Sequence, residues 1–472
     1  MNRITTDICI IGAGSGGLSI AAGAVQMGAR VVLIEGGEMG GDCLNAGCIP
    51  SKALIAAAKA AQAMRDGARF GITPTEPEVD FAAVKDHVAS VIETIAPVDS
   101  QERFEGLGVR VIRDWARFTG PDEVAAGEYL IKARRFVIAT GSRPLVPPIP
   151  GLDSVPSLTN ETIFALRDRP GHLLIIGGGP IGMEMAQAHR RLGCQVTVIE
   201  GGRAFGRDDP EMAAIVLENL RAEGVEILEG AEVTGLSGQA GDITLALKDG
   251  RSVQGTHLLL AVGRKVHLEG LNLEAAGVKH DRKGVTVGAD LRSSNRRVYA
   301  VGDAAGGLQF THVAGYHAGV VVRQIVLGLP AKSTTRHIPW VTYTDPELAQ
   351  VGLTEAEARK AHGSAVTVLR QAFAHNDRAQ AEGKPKGLLK VMVVKGRPVG
   401  ASIVGLQAGE LIGLWAFAIA SRAKLSAIAG MVAPYPTLGE ISKRAAGAYF
   451  SPKLFDNPML KGFVRLVQKI LP

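Results

Sequence analysis

The chain has 472 residues and a mass of 49.4 kDa, about three times a typical 150-residue domain, which excludes one small module. Hydrophobic residues make up 46% and charged residues 21%, which excludes an intrinsically disordered chain. The net charge is +6, and residues 441–472 alone hold six basic residues and one acid. The excess therefore lies at the C-terminal end, and no basic stripe with interleaved aromatics predicts a nucleic-acid partner.

The first predicted element is a βαβ unit that occurs twice. The segments that begin at Asp7 and His172 align at a constant offset of 165, and each contains an apolar strand, a glycine turn, an Ala-rich helix and a second strand. The shared glycines are Gly12, Gly14 and Gly17 in the first copy and Gly177, Gly179 and Gly182 in the second. The second strands end in Glu35 and Glu200. This pattern is the dinucleotide-binding fingerprint.

Each part of the fingerprint has a physical role. The first glycine allows the tight turn, the second lets backbone approach a pyrophosphate, and the third lets the helix pack on the strand. The helix N-terminus faces the negative charge, and the terminal carboxylate can accept hydrogen bonds from a ribose 2′-OH. The repeat therefore predicts two dinucleotide sites, and two ordinary glycine-rich turns are the alternative.

Two cysteines follow the first unit in the segment GGDCLNAGCIPSK, residues 40–52. Cys43 and Cys48 are five residues apart, a rise of about 7.5 Å in a straight helix, which exceeds the ~4.4–6.8 Å Cα separation of a disulfide. A bridge therefore requires a bend, which residues 45–47 can supply, and Pro50 suits the first turn of a following helix. A helix N-terminus stabilises a thiolate, so we expect a redox pair, with two buried thiols as the alternative.

The remaining cysteines indicate the compartment. Cys9 and Cys194 occupy or adjoin apolar runs, where we expect inert thiols. Four cysteines are too few for a secreted disulfide scaffold of this length, so we expect a cytoplasmic protein.

Prolines mark the predicted domain boundaries. Residues 142–151, SRPLVPPIPG, hold four prolines and predict a stiff connection between the two dinucleotide units. A second boundary lies near residues 336–340. Beyond it, alternating segments at 388–394 and 398–406 and Ala-rich helical stretches predict an α/β domain without a nucleotide fingerprint. The apolar stretch 411–420 is too short to span a bilayer, so we expect no membrane-spanning helix.

The last predicted element is a basic amphipathic helix over residues 460–471. Its apolar residues recur at helical spacing: Leu460, Phe463, Val464, Val467, Ile470 and Leu471. Its basic residues, Lys461, Arg465 and Lys469, lie elsewhere on the helix. Packing on the protein's own dimer is the favoured interpretation, and contact with an anionic membrane surface or another partner is the alternative.

Taken together, these motifs resemble those of the class I pyridine nucleotide-disulfide oxidoreductases, which include dihydrolipoamide dehydrogenase, glutathione reductase and mercuric reductase. The resemblance runs from the first strand to about Gly447. Five further segments support it: ATGSRP (139–144), LLAVGR (259–264), VYAVGDAA (298–305), TDPELAQVGLTEAEA (344–358) and YPTLGE (435–440).

The resemblance implies an α/β fold with two Rossmann-like dinucleotide-binding domains, for FAD and NAD(P), and a C-terminal α/β dimerisation domain. The implied domains are an FAD-binding domain of residues 1–147 and 268–336, an NAD(P)-binding domain of 148–267, an interface domain of 337–447 and a basic extension of 448–472. It also implies a homodimer in which the interface domain completes the active site of the partner subunit.

The resemblance implies which residues bind the cofactors. They are the six fingerprint glycines, Glu35, Lys52, Gly141, Asp303, Glu200 and Gly263. Asp303 would bind the flavin chain, with capping of a following helix as the alternative. Glu200 favours NADH because it would repel a 2′-phosphate, although Arg203 and Arg207 could offset it.

It likewise implies the catalytic residues. Cys43 and Cys48 would form the redox disulfide, with Cys48 next to the flavin as the charge-transfer sulfur and Cys43 as the interchange thiol. Lys52, paired with Glu184, would lie beside the flavin, with an incidental surface pair as the alternative. The implied enzyme passes electrons from NAD(P)H through FAD and the cysteines to a disulfide, dithiol or thiol-bound acceptor. We expect no resident metal ion.

The sequence departs from the family where substrate is chosen. Family members that act on dithiols carry a His-Pro dipeptide whose histidine serves as acid and base, whereas this chain has Tyr435 before Pro436 and keeps Glu440. A phenol, with a pKa near 10 against about 6.5 for imidazole, is a poor base at neutral pH. Tyr435 packing at an interface is one alternative. Substitution by another histidine is a second, and the candidates are His312, His317 and His375.

Three specific functions stay open. The first is dihydrolipoamide dehydrogenase, which needs the missing base. The second is a mercuric or other soft metal-ion reductase, which resembles this chain in its tyrosine but usually has a C-terminal cysteine pair, whereas no cysteine follows Cys194 here. The third is a redox-sensing or membrane-tethered flavoprotein subunit.

Overall fold

The computed structural model describes residues 1–471, which divide into two compact units. The first unit comprises Met1–Arg203 and Val225–Thr334, and the second comprises Ala204–Gly224 and the chain from Thr335 onward. Helices and strands alternate in both units, as the predicted α/β fold class requires. Within residues 1–471, no helix has the length and apolar content needed to cross a bilayer.

The elements follow one another in this order along the chain. The strands are β1 (Asn2–Ile11), β2 (Val31–Ile34), β3 (Arg110–Ile112), β4 (Ala116–Gly120), β5 (Glu123–Ala126), β6 (Tyr129–Ile138), β7 (Ser142–Pro144), β8 (His172–Ile176), β9 (Gln195–Glu200), β10 (Glu226–Glu229), β11 (Val233–Gln239), β12 (Asp242–Leu247), β13 (Ser252–Gly255), β14 (His257–Leu260), β15 (Arg264–Val266), β16 (His280–Asp281), β17 (Gly284–Val285), β18 (Val298–Ala300), β19 (Pro339–Thr342), β20 (Glu347–Gly352), β21 (Val366–Ala372), β22 (Leu388–Val394) and β23 (Arg397–Gly405). The α-helices are α1 (Ser15–Gln26), α2 (Gly41–Asn45), α3 (Cys48–Arg65), α4 (Phe81–Ile95), α5 (Gln101–Gly106), α6 (Pro180–Arg191), α7 (Pro210–Ala222), α8 (Thr311–Ile325), α9 (Glu355–His362), α10 (Asp377–Ala381), α11 (Ala408–Ala420), α12 (Leu425–Gly430), α13 (Glu440–Ala448), α14 (Ser451–Phe455) and α15 (Pro458–Ile470).

The first unit contains a seven-stranded sheet of order β3-β2-β1-β6-β5-β4, in which β18 also pairs with β6. β1, β2, β3, β6 and β18 pair in parallel, and β4 and β5 join as an antiparallel extension. β2 is a continuous apolar run because parallel strands are covered on both faces. β18 lies beyond the second repeat in sequence, so two separate stretches of chain build this sheet.

The second repeat forms its own sheet in the same unit. β10, β9, β8 and β14 pair in parallel in that order, and β11, β12 and β13 form a small antiparallel sheet. The predicted strand-turn-helix-strand order is present in both copies, as β1-α1-β2 and as β8-α6-β9.

The second unit is built on a five-stranded antiparallel sheet of order β19-β20-β23-β22-β21. The predicted alternating segments at 388–394 and 398–406 are confirmed as β22 and β23. Trp415 of α11 is fully buried in its core and donates a hydrogen bond to the Ser442 hydroxyl at 3.2 Å.

The segment Ala204–Gly224 belongs to this second unit, although we predicted it within the NAD(P)-binding domain of residues 148–267. The physical reason is an ion cluster around Lys390 of β22, whose side chain is only 4% exposed. Its ammonium lies 2.8 Å from Asp209, 2.8 Å from Glu211 and 2.7 Å from Glu355. A long-range charge cluster of this kind leaves no local pattern in the sequence.

We expect Lys390→Met to destabilise the second unit, because the buried Asp209 would lose its ion pair, although Arg370 still pairs with Glu211 and Glu355. Removing one partner of a buried ion pair costs about 3–5 kcal/mol in the free energy of unfolding. Thermal unfolding followed by circular dichroism measures the change. Lys386→Met is the matched control, because Lys386 and Glu218 form an exposed pair at 3.3 Å. Equal losses in the two variants would contradict the prediction.

The pH dependence of stability is a second test of the same ion cluster. Partial burial alone would raise the pKa of Glu355, but hydrogen bonds from Lys390 and Arg359 lower it to about 2. The stabilisation is therefore present above the unfolded pKa near 4.5 and is lost as pH falls from there toward 2. In Lys390→Met the folded pKa of Glu355 should move toward the unfolded value, so stability should fall less between pH 4.5 and 2 than in the wild type.

Candidate active site

The outer glycines of the two fingerprints are required by packing. Gly12 and Gly177 have φ values of +106° and +117°, and a Cβ on either would lie 2.4 Å from a carbonyl oxygen of a neighbouring segment. A Cβ on Gly17 or Gly182 would lie 1.9 or 2.0 Å from the carbonyl oxygen of the first glycine of the same turn. No side chain fits at these four positions, so each turn brings its helix directly against its strand.

The middle glycines border open space instead. A Cβ on Gly179 would meet no heavy atom within 4 Å, and one on Gly14 would meet only the Gly41 Cα at 4.0 Å. Both residues are the N-caps of their helices, α6 and α1, and neither cap is closed by a side-chain hydrogen bond. Exposed backbone and a helix N-terminus without a side-chain cap fit the pyrophosphate of a dinucleotide.

The two acids that end the second strands have the same hydrogen bonds. One oxygen accepts from the backbone N–H of the residue after the first fingerprint glycine, at 2.6 Å for Glu35 and 2.7 Å for Glu200. The other oxygen accepts from the backbone N–H of the residue two positions after the glutamate itself, Gly37 at 2.7 Å and Gly202 at 2.8 Å. Both carboxylates are thus fixed at the strand end, where the fingerprint binds a ribose. The residues of both copies fit a dinucleotide.

Asp303 occupies a short 3-10 turn, Gly302–Ala305, and its pKa is raised because the group is largely buried. Its carboxylate accepts a hydrogen bond from the Ser142 hydroxyl at 2.6 Å. No side chain caps α8, the helix that follows, so the capping alternative does not describe this residue. Asp303 is instead the end of a polar chain beside the first repeat.

The other members of this row of polar side chains were not predicted from the sequence. Arg264 donates to the Ser142 hydroxyl at 2.7 Å and lies 3.2 Å from the Asp42 carboxylate. Ser142 begins β7 and Arg264 begins β15, and these two strands pair antiparallel directly after Gly141 and Gly263. Ser142 lies in the segment ATGSRP and Arg264 in the segment LLAVGR, so both residues belong to family motifs, but neither side chain had been given a role.

The cysteine segment bends where we predicted. Cys43 lies in α2, which ends at Asn45, and Cys48 is the first residue of α3, so the helix is interrupted between the two thiols. A Cβ on Gly47 would lie 2.8 Å from the Asp42 carbonyl oxygen, so the bend requires glycine. Both cysteines are free thiols that share a hydrogen bond, and Cys48 is exposed while Cys43 is half-buried.

The two thiols differ in acidity. The hydrogen bond from Cys43 is the main cause that lowers the pKa of Cys48 to about 6. Burial opposes this shift, whereas a hydrogen bond with Thr311 and the charge of Lys52 add to it. The Cys48 sulfur and the Thr311 hydroxyl oxygen are 3.3 Å apart. The shared hydrogen bond and burial raise the pKa of Cys43. Cys48 is therefore the thiolate of the pair near neutral pH.

Lys52 and Glu184 form the predicted ion pair at 2.9 Å. Lys52 lies one helical turn after Cys48 on α3, and Glu184 lies on α6 of the second repeat with its side chain only 7% exposed. The pair places a positive charge near the thiolate and links the two repeats.

Tyr435 lies in the second unit and is 69% exposed. Its hydroxyl donates a hydrogen bond to the Asp377 carboxylate at 3.2 Å, and this bond raises the pKa of Tyr435. A general base at neutral pH needs the opposite shift. Glu440, the first residue of α13, contacts Arg444 through one oxygen at 3.3 Å, while its other oxygen is buried without a hydrogen-bond partner.

The three candidate histidines lie in different environments. His317 is buried, its Nδ1 accepts from the Gly302 N–H at 3.2 Å, and burial lowers its pKa. His312 stacks on the Phe310 ring at 5.3 Å between centroids. The backbone carbonyl of His375 accepts a hydrogen bond from Arg444.

Comparison with known proteins gives consistent matches. Residues 6–318 match the family described as pyridine nucleotide-disulphide oxidoreductase, and residues 338–446 match its dimerisation domain. A mercuric reductase of Streptomyces lividans is 35% identical over 457 residues, which is 94% of this chain and 96% of the relative. A dihydrolipoyl dehydrogenase of Thermus scotoductus is 36% identical over 456 residues, which is 94% of this chain and 97% of the relative.

A solved structure is also similar to this chain. It is the Cu(II) complex of the HOCl-induced flavoprotein disulfide reductase RclA from Escherichia coli, with a TM-score of 0.84 and 26% identity over 95% of this chain and 100% of that one.

We predict that Cys43→Ser, purified with FAD, keeps a long-wavelength thiolate-to-flavin absorption band that disappears on acidification, with a midpoint above about 6 because the hydrogen bond from Cys43 is the main cause of the lowered pKa of Cys48. Lys52→Gln in the same background should raise that midpoint, because the lysine charge favours the thiolate. Visible absorbance against pH measures both effects.

Two controls accompany the titration. Cys48→Ser should abolish the band, and Lys59→Gln, further along α3, should leave the midpoint unchanged. A band that survives in Cys48→Ser would contradict the assignment of the thiolate.

Proposed function

The chain belongs to the pyridine nucleotide-disulphide oxidoreductase family, and from that premise we propose that it oxidises NADH and reduces a soft metal ion or another thiol-bound acceptor at Cys43 and Cys48. Enzymes of this family bind FAD and NAD(P)H, and the matched dimerisation domain supports a homodimer. The metal ion here is the substrate that accepts the electrons, and it is distinct from any resident cofactor.

The residues of the site have separate roles in the proposed reaction. When bound, FAD relays two electrons from the nicotinamide to the cysteine pair. The fingerprint glycines of each repeat would give backbone N–H groups to a pyrophosphate, and the Lys52 charge favours the Cys48 thiolate. The overall reaction balances as NADH plus one divalent ion giving NAD⁺, one proton and the elemental metal, or as one NADH reducing two Cu(II) ions to Cu(I).

One observation carries the choice of acceptor, namely that Tyr435 precedes Pro436 where dithiol-acting family members have a histidine, and that its hydroxyl donates to Asp377. Dithiol exchange needs a group that takes and returns a proton near neutral pH, and this phenol does not supply one. A soft metal ion binds thiolates directly and displaces their protons. The 35% identity with a mercuric reductase supports this acceptor class.

Dihydrolipoamide dehydrogenase is the second candidate. The buried Glu440 oxygen without a hydrogen-bond partner favours it, because the family uses this acid to orient the missing histidine. The 36% identity with a dihydrolipoyl dehydrogenase adds support. This function requires a base from some other group.

NADH is the proposed reductant in preference to NADPH. Both Glu200 oxygens accept backbone hydrogen bonds, which fixes a negative charge where a 2′-phosphate would lie. We also propose a cytoplasmic location, because a working dithiol suits a reducing compartment.

We expect anaerobic titration of the FAD-loaded protein with NADH to produce the long-wavelength band of the two-electron-reduced enzyme, and NADPH to produce it less effectively. With excess NADH, mercuric chloride or a Cu(II) salt should then be reduced, with one NADH consumed per elemental mercury or per two Cu(I) ions formed, whereas loss of the band alone would show only that the metal ion binds the thiolates. Stopped-flow absorbance measures both half-reactions.

The other outcomes separate the alternatives. Rapid discharge by lipoamide would establish the dehydrogenase instead. A band that no acceptor discharges, with steady-state NADH consumption far below flavin reduction, would favour a redox-sensing subunit. A complete absence of the band would contradict the disulfide mechanism.

We further predict that Tyr435→His raises turnover with dihydrolipoamide by at least about tenfold, because an imidazole with a pKa near 6.5 can exchange protons at neutral pH. The KM for NAD⁺ should not change. Tyr435→Phe is the matched control and should stay at the wild-type level with this substrate. Equal gains in the two variants would show that loss of the phenol, not gain of a base, is responsible.

A further inference from the structure

The C-terminal helix α15 lies beyond the matched dimerisation domain, which ends at residue 446. None of its residues is buried in the chain. Met459, Phe463 and Ile470 are 82%, 61% and 69% exposed, so large apolar side chains face outward without cover from this subunit. An exposed apolar face of this kind marks an interaction surface.

The apolar side chains of α15 form one continuous stripe. At 3.6 residues per turn they fall within an arc of about 160°. Its members are Met459, Leu460, Phe463, Val464, Leu466, Val467 and Ile470. No polar residue interrupts this arc, so the whole face can enter one apolar environment.

The charged side chains on the opposite face of α15 are all positive. This face carries Lys461, Arg465 and Lys469 together with Gly462 and Gln468, and α15 contains no acidic residue. A purely basic face complements the negative surface of an anionic membrane.

The dimensions of the helix also fit a bilayer surface. Its 13 residues span about 20 Å, which is too short to cross a membrane but sufficient to lie in its interface. Lysine and arginine side chains at the edge of an apolar face can reach lipid phosphates while their stems stay in the apolar layer.

We propose that α15 binds the surface of an anionic lipid bilayer, with its apolar stripe among the acyl chains and Lys461, Arg465 and Lys469 at the lipid phosphates. Since the matched family domain supports a homodimer, two helices act together, and each strengthens the binding of the other through effective concentration. The favoured interpretation from sequence, packing on the protein's own dimer, becomes the competing outcome of the test.

Vesicle flotation of the full-length FAD-loaded protein tests the proposal. The protein should float with vesicles of phosphatidylcholine containing one-quarter phosphatidylglycerol, and much less with pure phosphatidylcholine. Val467→Glu should weaken flotation at least about tenfold, because it places a charge in the apolar stripe. Gln468→Glu adds the same charge at the next residue, on the polar face, and should weaken flotation far less.

A second variant tests the charged face. Replacing Lys461, Arg465 and Lys469 by glutamine should weaken binding to the anionic vesicles on the order of 100-fold, and high salt should reproduce much of that loss. The reduction of bound FAD by NADH should stay at the wild-type level in every variant, so the membrane result is independent of the proposed acceptor.

Two results would overturn the proposal. One is a wild-type protein that stays with neither vesicle while Val467→Glu changes the oligomeric state in analytical ultracentrifugation, since the stripe would then contact a second copy. The other is equal flotation of Val467→Glu and the wild type, since the stripe would then be irrelevant to lipid.

Discussion

The ion pair between Lys52 and Glu184 is the contact on which the rest of the site depends. Glu184 is nearly buried on α6 of the second repeat, and a buried carboxylate is stable only with a charged partner. Lys52 supplies that charge from α3, the helix that begins at Cys48. One side chain therefore joins the two nucleotide-binding repeats and also favours the thiolate at the start of its own helix. Electron transfer between two cofactors and a sulfur needs this combination of closeness and charge.

The two repeats share a framework and differ where chemistry is added. Glu35 and Glu200 make matching hydrogen bonds, and the glycine turns have matching packing. The residue after the middle glycine is Ser15 in the first copy and Pro180 in the second. The Ser15 side chain hydrogen-bonds with Cys43. Pro180 has no side-chain hydrogen-bonding group, and it suits the first position of α6, where it stands. The repeat thus keeps its nucleotide-binding geometry and changes one helix position next to the redox pair.

The sequence predicted those parts of the structure that local spacing determines. Glycine spacing located both turns, the five-residue interval between Cys43 and Cys48 required a bend, and alternation located β22 and β23. The pairing of Lys52 with Glu184 came through family resemblance, because 132 residues separate the two.

Contacts between residues that are far apart in the sequence were not predicted, because they leave no local pattern. Arg264 meets Ser142 across 122 residues, and Lys390 meets Asp209 across 181. The first contact depends on two short strands pairing, and the second on α7 joining the sheet of the second unit. Neither event changes the hydrophobic periodicity, so a single sequence contains no sign of it. The hydrogen bond from Tyr435 to Asp377 escaped for the same reason.

The opposite pKa shifts of the two thiols explain why the identity of the acceptor matters so much at this site. Cys48 is already a thiolate near neutral pH, but Cys43, the expected interchange thiol, keeps its proton because its pKa is raised. A mixed disulfide formed at Cys43 needs a base to remove that proton. A soft metal ion needs no such base, because its bond to sulfur displaces the proton directly. The unequal acidity of the two cysteines therefore supports the proposed preference for a metal ion over a dithiol.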